Sequence, residues 1–143
     1  MELDDTPARL RDKPTWLISK TAARAHRLIG EAMAEIDGRA YHFAILAALD
    51  EFGPASQTRI GQRCGIDQSD MHAMLAELTD QGHVSRAPDP ADRRRNLITL
   101  TRSGRKRLEK LDASLTAVQA DLLAPLSAAE RKRLADLLIR VLR

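Results

Sequence analysis

Residues 57–101, QTRIGQRCGIDQSDMHAMLAELTDQGHVSRAPDPADRRRNLITLT, decide the fold of this chain. Their first half contains two runs with apolar residues at helical spacing, and the second run extends from Met71 to Leu78. Gly65 stands where a helix can end in a left-handed residue, and Asp67 is a suitable N-cap for the second run. Two short helices joined by such a turn predict a helix-turn-helix.

The second half of the stretch predicts a two-stranded wing. HVSRA and NLITLT have the composition of short strands, and the loop between them, PDPADRRR, is rich in turn residues and arginine. Residues 93–108 contain seven basic side chains and no acidic one. This density of positive charge beside a helix-turn-helix suits the phosphate backbone of a nucleic acid.

The wing sequence resembles that of the MarR family (multiple antibiotic resistance regulators). The shared pattern is Gly-x-Val-x-Arg, then Asp-x-x-Asp-Arg-Arg, then Leu-Thr-x-x-Gly. It is matched by Gly82, Val84, Arg86, Asp89, Asp92, Arg93, Arg94, Leu100, Thr101 and Gly104. The chain departs from the family at Gly61, where alanine is usual, and at His83, where leucine is usual. The resemblance covers nearly the whole chain and implies a dimeric transcription regulator.

Composition indicates a mainly α fold with a small antiparallel β wing. Aromatic residues make up only 3% of the 143 residues, while alanine and leucine dominate, which is typical of helical proteins. The length is that of one domain with a substantial core. We therefore predict a winged helix-turn-helix over residues 41–101, with N- and C-terminal dimerisation helices over 14–37 and 102–143.

Charge is unevenly distributed, although the net charge is only +3. Residues 1–80 carry nine basic and thirteen acidic side chains, whereas residues 81–143 carry fourteen basic and seven acidic side chains. A localised basic region favours a nucleic-acid partner. The N-terminal MELDDTPARLRDKP lacks the apolar segment of a signal peptide, and no run is long enough to span a membrane. With a single cysteine, the chain has the composition of a cytoplasmic protein.

The terminal helices carry apolar stripes larger than one small winged domain requires. Between Leu108 and Leu122, apolar residues recur in steps of three and four, which is a heptad-like seam. A last helix begins after Ser127 and has its own apolar face. These stripes fit either an intramolecular core or a homodimer interface, and the resemblance favours the homodimer.

Candidate base-contacting residues lie near the start of the second helix of the pair, because that part of a recognition helix meets base edges in the major groove. They are Gln68, Ser69, His72 and Ala73. Glutamine can pair with adenine and serine can contact bases or phosphate, while alanine can contact a thymine methyl group. For His72, a solvated surface position is an equally good interpretation.

Candidate backbone-contacting residues come from the wing and from the first helix of the pair. The resemblance implies that Asp92 braces the wing arginines and that one arginine enters the minor groove. We expect Arg94 to insert, and Arg93 and Arg95 to contact phosphate or brace the loop. The remaining candidates are Thr58, Arg59 and Arg86.

A small aromatic or anionic effector is a further expectation from the resemblance, with its site between the dimerisation helices and the winged domain. The candidate residues are Trp16, Lys20, Arg39, Tyr41 and His42. Taken singly, an ordinary core position for Trp16 and an ordinary surface position for His42 are the simpler interpretations.

The sequence does not favour an enzyme. Gly61 and Gly65 are isolated glycines, not a phosphate-binding loop, and Cys64 and the histidines lack the spacing of a metal site. We therefore expect no catalytic residue, metal or cofactor. The predicted function is a ligand-responsive repressor that binds a pseudo-palindromic DNA operator as a homodimer. The alternatives are a ligand-independent architectural DNA binder and a helical protein–protein interaction module.

Overall fold

The computed structural model describes residues 3–143, and within them seven α-helices accompany one two-stranded antiparallel sheet. Met1 and Glu2 lie outside the described residues. A 3₁₀ turn at Leu3–Asp5 comes first. The elements that follow are α1 (Ala8–Arg11), α2 (Pro14–Ala34), α3 (Ala40–Phe52), α4 (Gln57–Cys64), α5 (Gln68–Asp80), β1 (Val84–Pro88), β2 (Asn96–Leu100), α6 (Arg102–Leu122) and α7 (Ala128–Leu142). The fold is therefore mainly α with a small β wing, which confirms the predicted class.

The chain divides into two compact units. One contains the residues up to 31 together with 115–143, and the other contains residues 32–114. The division falls inside α2 and α6. The predicted domain bounds of 14–37, 41–101 and 102–143 stay predictions. The second unit, which we call the winged unit, holds all of α3, α4, α5 and the sheet.

The core of the winged unit is formed by one apolar face from each helix. Leu46 of α3, Ile60 of α4, and Leu75 and Leu78 of α5 are fully buried. Burying side chains of this size stabilises the fold by about 1.5–3 kcal/mol each. Leu75 and Leu78 belong to the apolar run that the helical spacing predicts, and with Leu46 and Ile60 they form a continuous core.

The sheet is a single hairpin whose second strand is also bridged to the segment before α4. Val84 pairs with Leu100 and Pro88 with Asn96, which fixes the register of the hairpin. Ile98 of β2 also exchanges both backbone hydrogen bonds with Ala55, at 2.8 and 3.1 Å. Ala55 lies just before α4, so the bridge holds the base of the wing against the start of the helix-turn-helix.

Polar caps define the helix boundaries of the winged unit. The Ser56 hydroxyl accepts a hydrogen bond from the Arg59 amide at 3.2 Å, and the Thr101 hydroxyl accepts one from the Gly104 amide at 3.0 Å. Gly65 ends α4 with a φ of 65°, a left-handed conformation that a residue with a Cβ adopts only at a cost. Each cap supports the predicted element boundary, since loss of a cap costs about 1 kcal/mol.

The first unit contains most of α2, the end of α6 and all of α7. Helix α7 begins after Ser127, as the sequence predicts, and a complete capping box joins Ser127 and Glu130. The Arg131 guanidinium donates to the carbonyl oxygens of Leu123 and Leu126, both at 3.1 Å, and so closes the turn between α6 and α7. Within the described part of the chain, no helix is both long and apolar enough to cross a membrane.

Candidate DNA-binding surface

Helix α5 presents a polar outer face at its N-terminal end. Met71, Met74, Leu75 and Leu78 are buried beneath it. The four candidate base-contacting residues, Gln68, Ser69, His72 and Ala73, are all exposed on the opposite side. The geometry is that of a recognition helix whose first turns can enter a major groove.

The N-cap of α5 determines what Ser69 can offer to a base. Asp67 accepts the amide of Asp70 at 2.9 Å and the hydroxyl of Ser69 at 2.6 Å on the same oxygen atom. The Ser69 hydrogen bond lowers the pKa of Asp67 below its ordinary value, and the charge of Asp67 raises the pKa of Asp70. While this hydrogen bond is kept, the Ser69 hydroxyl offers DNA an acceptor, which suits an exocyclic amine of adenine or cytosine.

A basic cleft of about 520 Å³ lies between the start of α4 and the wing. Three arginines from different elements contribute to its wall, namely Arg59 from α4, Arg86 from β1 and Arg95 from the wing loop. Its other lining residues are Ser56, Gln57, Thr58, Gln62, Asn96 and Ile98. Guanidinium groups and the free amides of a helix N-terminus both favour a phosphate, so the cleft fits a segment of DNA backbone.

The tip of the wing is organised by two aspartates. Asp89 accepts the Ala91 amide at 2.9 Å, and Asp92 accepts the Arg94 amide at 3.1 Å. The side chains of Arg94 and Arg95 lie 3.5 and 3.8 Å from the Asp92 carboxylate. Asp92 therefore contacts two of the three wing arginines, as the resemblance implies.

The wing arginines differ in their surroundings. Arg94 has 95% of its side chain exposed, and an ion pair as exposed as this one is worth little, so Arg94 can leave Asp92 at small cost. Arg95 contacts Asp92 and also lines the basic cleft. Arg93 is exposed, and no ion pair involves it among residues 3–143. The geometry is compatible with insertion of Arg94 and phosphate contacts by the other two.

The predicted effector-binding residues belong to both units of the chain and differ in their local contacts. In the first unit, the Lys20 ammonium lies 5.6 Å from the centre of the Trp16 ring, and both residues line a cleft. In the winged unit, Tyr41 is exposed, while Arg39 and His42 both contact Glu77 of α5 at 3.0 and 2.8 Å. His42 is only 1% exposed, so the interpretation of His42 as a surface residue is wrong. Its ring is buried because Glu77, distant in sequence, supplies a hydrogen-bond partner.

Three residues with amide side chains line the basic cleft but are not among those predicted from the sequence, namely Gln57, Gln62 and Asn96. Gln57 is the first residue of α4, directly after the N-cap Ser56, so its place at a helix N-terminus was a usable signal. Asn96 opens β2 and faces the cleft because of the register of the sheet, which the sequence alone does not specify.

Cys64 and the potential metal ligands have ordinary surroundings in the described part of the chain. Among residues 3–143, no group of three His, Cys, Asp or Glu side chains is placed to hold a metal ion. Cys64 donates its thiol to the Ala44 carbonyl oxygen at 3.3 Å, and burial raises the pKa of the thiol. A thiol with a raised pKa is a poor nucleophile.

A capped recognition helix, a basic wing and an arginine-lined cleft between them define a winged helix-turn-helix DNA-binding protein. The profile of the MarR family matches residues 36–95. The chain is also similar to the HTH-type transcriptional regulator YcgE of Bacillus subtilis. The two are 31% identical over 124 residues, and this aligned region is 85% of this chain and 74% of the relative. The chain belongs to the MarR family of transcription regulators.

Two further comparisons extend over almost the whole chain. The HTH-type transcriptional repressor NicR of Pseudomonas putida is 26% identical over 140 residues, which are 98% of this chain and 89% of the relative. A crystal structure of a mutant MarR from E. coli complexed with operator DNA has a TM-score of 0.80 and 25% identity, and covers 96% of this chain and 100% of the other. The fold and the class of function, DNA-binding regulation of transcription, are those of this family.

Proposed function

We propose that the protein is a repressor that binds a pseudo-palindromic operator as a homodimer and releases it when an anionic effector binds. The observation that carries the DNA-binding part is the combination, within the winged unit, of the exposed polar start of α5 and the arginine-lined cleft beside it. The name of the NicR relative supports repression. A regulator of this kind acts where the chromosome is, so we propose the cytoplasm as its location.

The exposed apolar residues of the first unit support a homodimer. Leu17 and Ile18 of α2 and Leu137, Leu138, Ile139, Val141 and Leu142 of α7 are at least 38% exposed in the single chain. Contiguous exposed apolar residues usually mark an interaction site, because isolated soluble chains rarely leave such a surface in water. A twofold-symmetric dimer would place two recognition helices on successive half-sites.

Within the proposed complex, some residues contact base edges and others contact the DNA backbone. Gln68, Ser69, His72 and Ala73 are proposed to meet base edges. Thr58, Arg59, Arg86, Arg93 and Arg95 are proposed to contact phosphates, and Arg94 to enter the minor groove. Base contacts give discrimination and phosphate contacts give affinity that is independent of sequence.

Selection of duplexes from a random pool tests this function, and a salt titration on the selected and scrambled duplexes completes the test. We expect a selected, inverted-repeat sequence and affinity that falls with salt. Replacing Arg95 with alanine should weaken binding to both duplexes similarly and lower the salt slope by about one unit per lost phosphate contact. Salt-dependent binding without a selected sequence would indicate an architectural DNA binder, and no duplex binding would indicate an interaction module.

The cleft of the first unit is the proposed effector site. Its volume is about 910 Å³, and its lining combines Leu17, Leu122 and the Trp16 ring with the basic side chains of Lys20, Arg24 and Arg27. An aromatic ring can pack against the apolar part while a carboxylate pairs with the basic side chains. The site therefore fits an aromatic carboxylate. Arg39, Tyr41 and His42, which the resemblance also implies, do not line this cleft.

Salicylate is a suitable probe of this cleft, because Trp16 is the only tryptophan of the chain. We expect salicylate to quench the Trp16 fluorescence and to weaken operator binding, and operator DNA must then weaken salicylate binding by the same factor. Lys20→Met should reduce the salicylate affinity, whereas Lys13→Met, at an exposed lysine outside the cleft, should not. Equal effects of the two variants, or quenching without any change in operator binding, would contradict the proposed site.

A further inference from the structure

Gly61 occupies an unusual position for a glycine, in the interior of α4 and buried against α5. Its φ is not positive, so its backbone conformation does not require glycine. Glycine in a helix interior costs about 1 kcal/mol relative to alanine. The absence of a side chain at this position leaves space for neighbouring groups, and these neighbours are known.

The space beside Gly61 is filled by the side chain of Gln68. A Cβ at residue 61 would lie 2.5 Å from Nε2 of Gln68, 2.9 Å from the Ile66 carbonyl oxygen and 3.1 Å from Cγ of Met71. The closest of these atoms belongs to the first residue of the recognition helix. The Gln68 amide thus rests in a notch on α4 that exists because residue 61 has no side chain.

A second residue of α4 holds the same amide from another direction. Nε2 of Gln57 donates to Oε1 of Gln68 at 3.4 Å. Gln57 is half-buried at the start of α4, so its own side chain is partly immobilised. In this arrangement Oε1 of Gln68 faces Gln57, while Nε2 of Gln68 faces Gly61.

The hydrogen-bonding capacity that remains on Gln68 matches adenine. Oε1 has a second lone pair, and Nε2 donates no hydrogen bond to another group in the described part of the chain. Adenine presents a donor, N6, and an acceptor, N7, side by side in the major groove, which an oriented glutamine amide meets with both of its ends. An amide already held in place loses less conformational entropy when it binds the base.

We propose that Gly61 and Gln57 are positioning residues that set the base preference of Gln68, so that the notch and the two amides form one adenine-reading unit. This inference rests on the proposed function, because it requires α5 to be the reading helix. It makes a residue with no side chain a determinant of sequence specificity.

The test uses the full-length protein and the duplex that the wild type selects from a random pool. Affinities are measured on this duplex and on variants in which each A·T pair is replaced in turn. Gln68→Ala should abolish the preference at one A·T position, with a loss of roughly tenfold, within the range of one bidentate base contact. Gly61→Ala and Gln57→Ala should each weaken the preference at that same position and at no other.

Double variants show whether the effect passes through Gln68. If it does, Gly61→Ala and Gln57→Ala should change nothing further in the Gln68→Ala background, since the coupling of contacting residues is lost when one is absent. Gly30→Ala is the matched control, because a Cβ at this helical glycine of α2 meets nothing within 4 Å. Circular dichroism and thermal melting would check that each variant is folded. If Gly61→Ala does not fold, Gln57→Ala still tests the positioning role.

The possible results separate this inference from the proposed function. Gly61→Ala or Gln57→Ala could lower the DNA affinity even in the Gln68→Ala background, or equally on scrambled DNA. Either result would overturn the positioning role and leave the proposed function intact. Unchanged preferences in Gln68→Ala would overturn both the positioning role and the assignment of Gln68 as a reader. If the wild type selects no sequence, the proposed function itself fails and the inference fails with it.

Discussion

Replacing Leu138 with lysine should convert the protein into a monomer and lower its operator affinity by roughly 100- to 10,000-fold, the range by which linking two binding modules raises affinity. Leu138 is exposed on α7 in the single chain, in a helix whose apolar residues continue to Leu142. In the proposed dimer the lysine would be buried without a partner charge, which is costly. A monomer would engage one half-site at a time and lose the advantage of simultaneous binding.

The matched control is Ala129→Lys, which adds the same charge to α7. Ala129 is exposed and lies nine residues before Leu138, which at about 100° per residue puts it on the opposite face of the helix. Light scattering at micromolar concentration should give twice the chain mass for the wild type and for Ala129→Lys, but the chain mass for Leu138→Lys. Deleting residues 127–143 should have the same consequence as Leu138→Lys. A dimeric Leu138→Lys protein would place the interface elsewhere.

Local sequence signals predicted the framework of the winged unit well. Asp67 acts as the predicted N-cap of α5, and Gly65 adopts the left-handed conformation expected at the end of α4. These features depend on residues within a few positions of one another, so the sequence contains all the information they require. The two strands of the wing follow from the same kind of local pattern.

Contacts between distant residues were the part that the sequence could not supply. His42 and Glu77 are separated by 35 positions, and neither belongs to a local motif that indicates the other. Gly61 was recognised only as a departure from a family pattern, because its role depends on where α5 crosses α4. The cleft lined by Arg59, Arg86 and Arg95 likewise requires the tertiary arrangement of three elements. The individual DNA and effector contacts stay predictions, to be decided by the variants described above.

Glu77→Ala should lower the free energy of unfolding by about 1–3 kcal/mol, the usual cost of leaving a buried polar group without its partner. The carboxylate can only accept, so Nε2 of His42 carries the proton and donates to it at 2.8 Å. Arg39 donates to the same oxygen atom at 3.0 Å, and the two contacts together tie α5 to the start of α3. Glu77→Gln is the matched control, because its amide oxygen can still accept from His42. Urea unfolding at pH 7 should therefore find Glu77→Gln less destabilised than Glu77→Ala.

The surroundings of His42 also predict how stability changes with pH. Burial lowers the pKa of His42, and the nearby charges of Arg39 and Arg107 act in the same direction, while the hydrogen bond and charge of Glu77 oppose them. Nδ1 of the neutral ring is buried with no hydrogen-bond partner among the described residues, so a second proton would have nothing to bond to. Burial and the charges of Arg107 and His42 lower the pKa of His83 as well.

Both histidines therefore bind protons more readily in the unfolded chain than in the folded one. Their contribution to stability is complete above the ordinary histidine pKa of about 6.5 and is lost as the pH falls through the folded-state values, with a slope of up to about 1.4 kcal/mol per pH unit for each histidine. His42→Gln should reduce this slope between pH 6.5 and 5, and the remaining slope should come from His83. Urea unfolding at half-unit pH steps measures both proteins. If the slopes of the wild type and His42→Gln are equal, His42 is not a neutral group that resists protonation in the folded state.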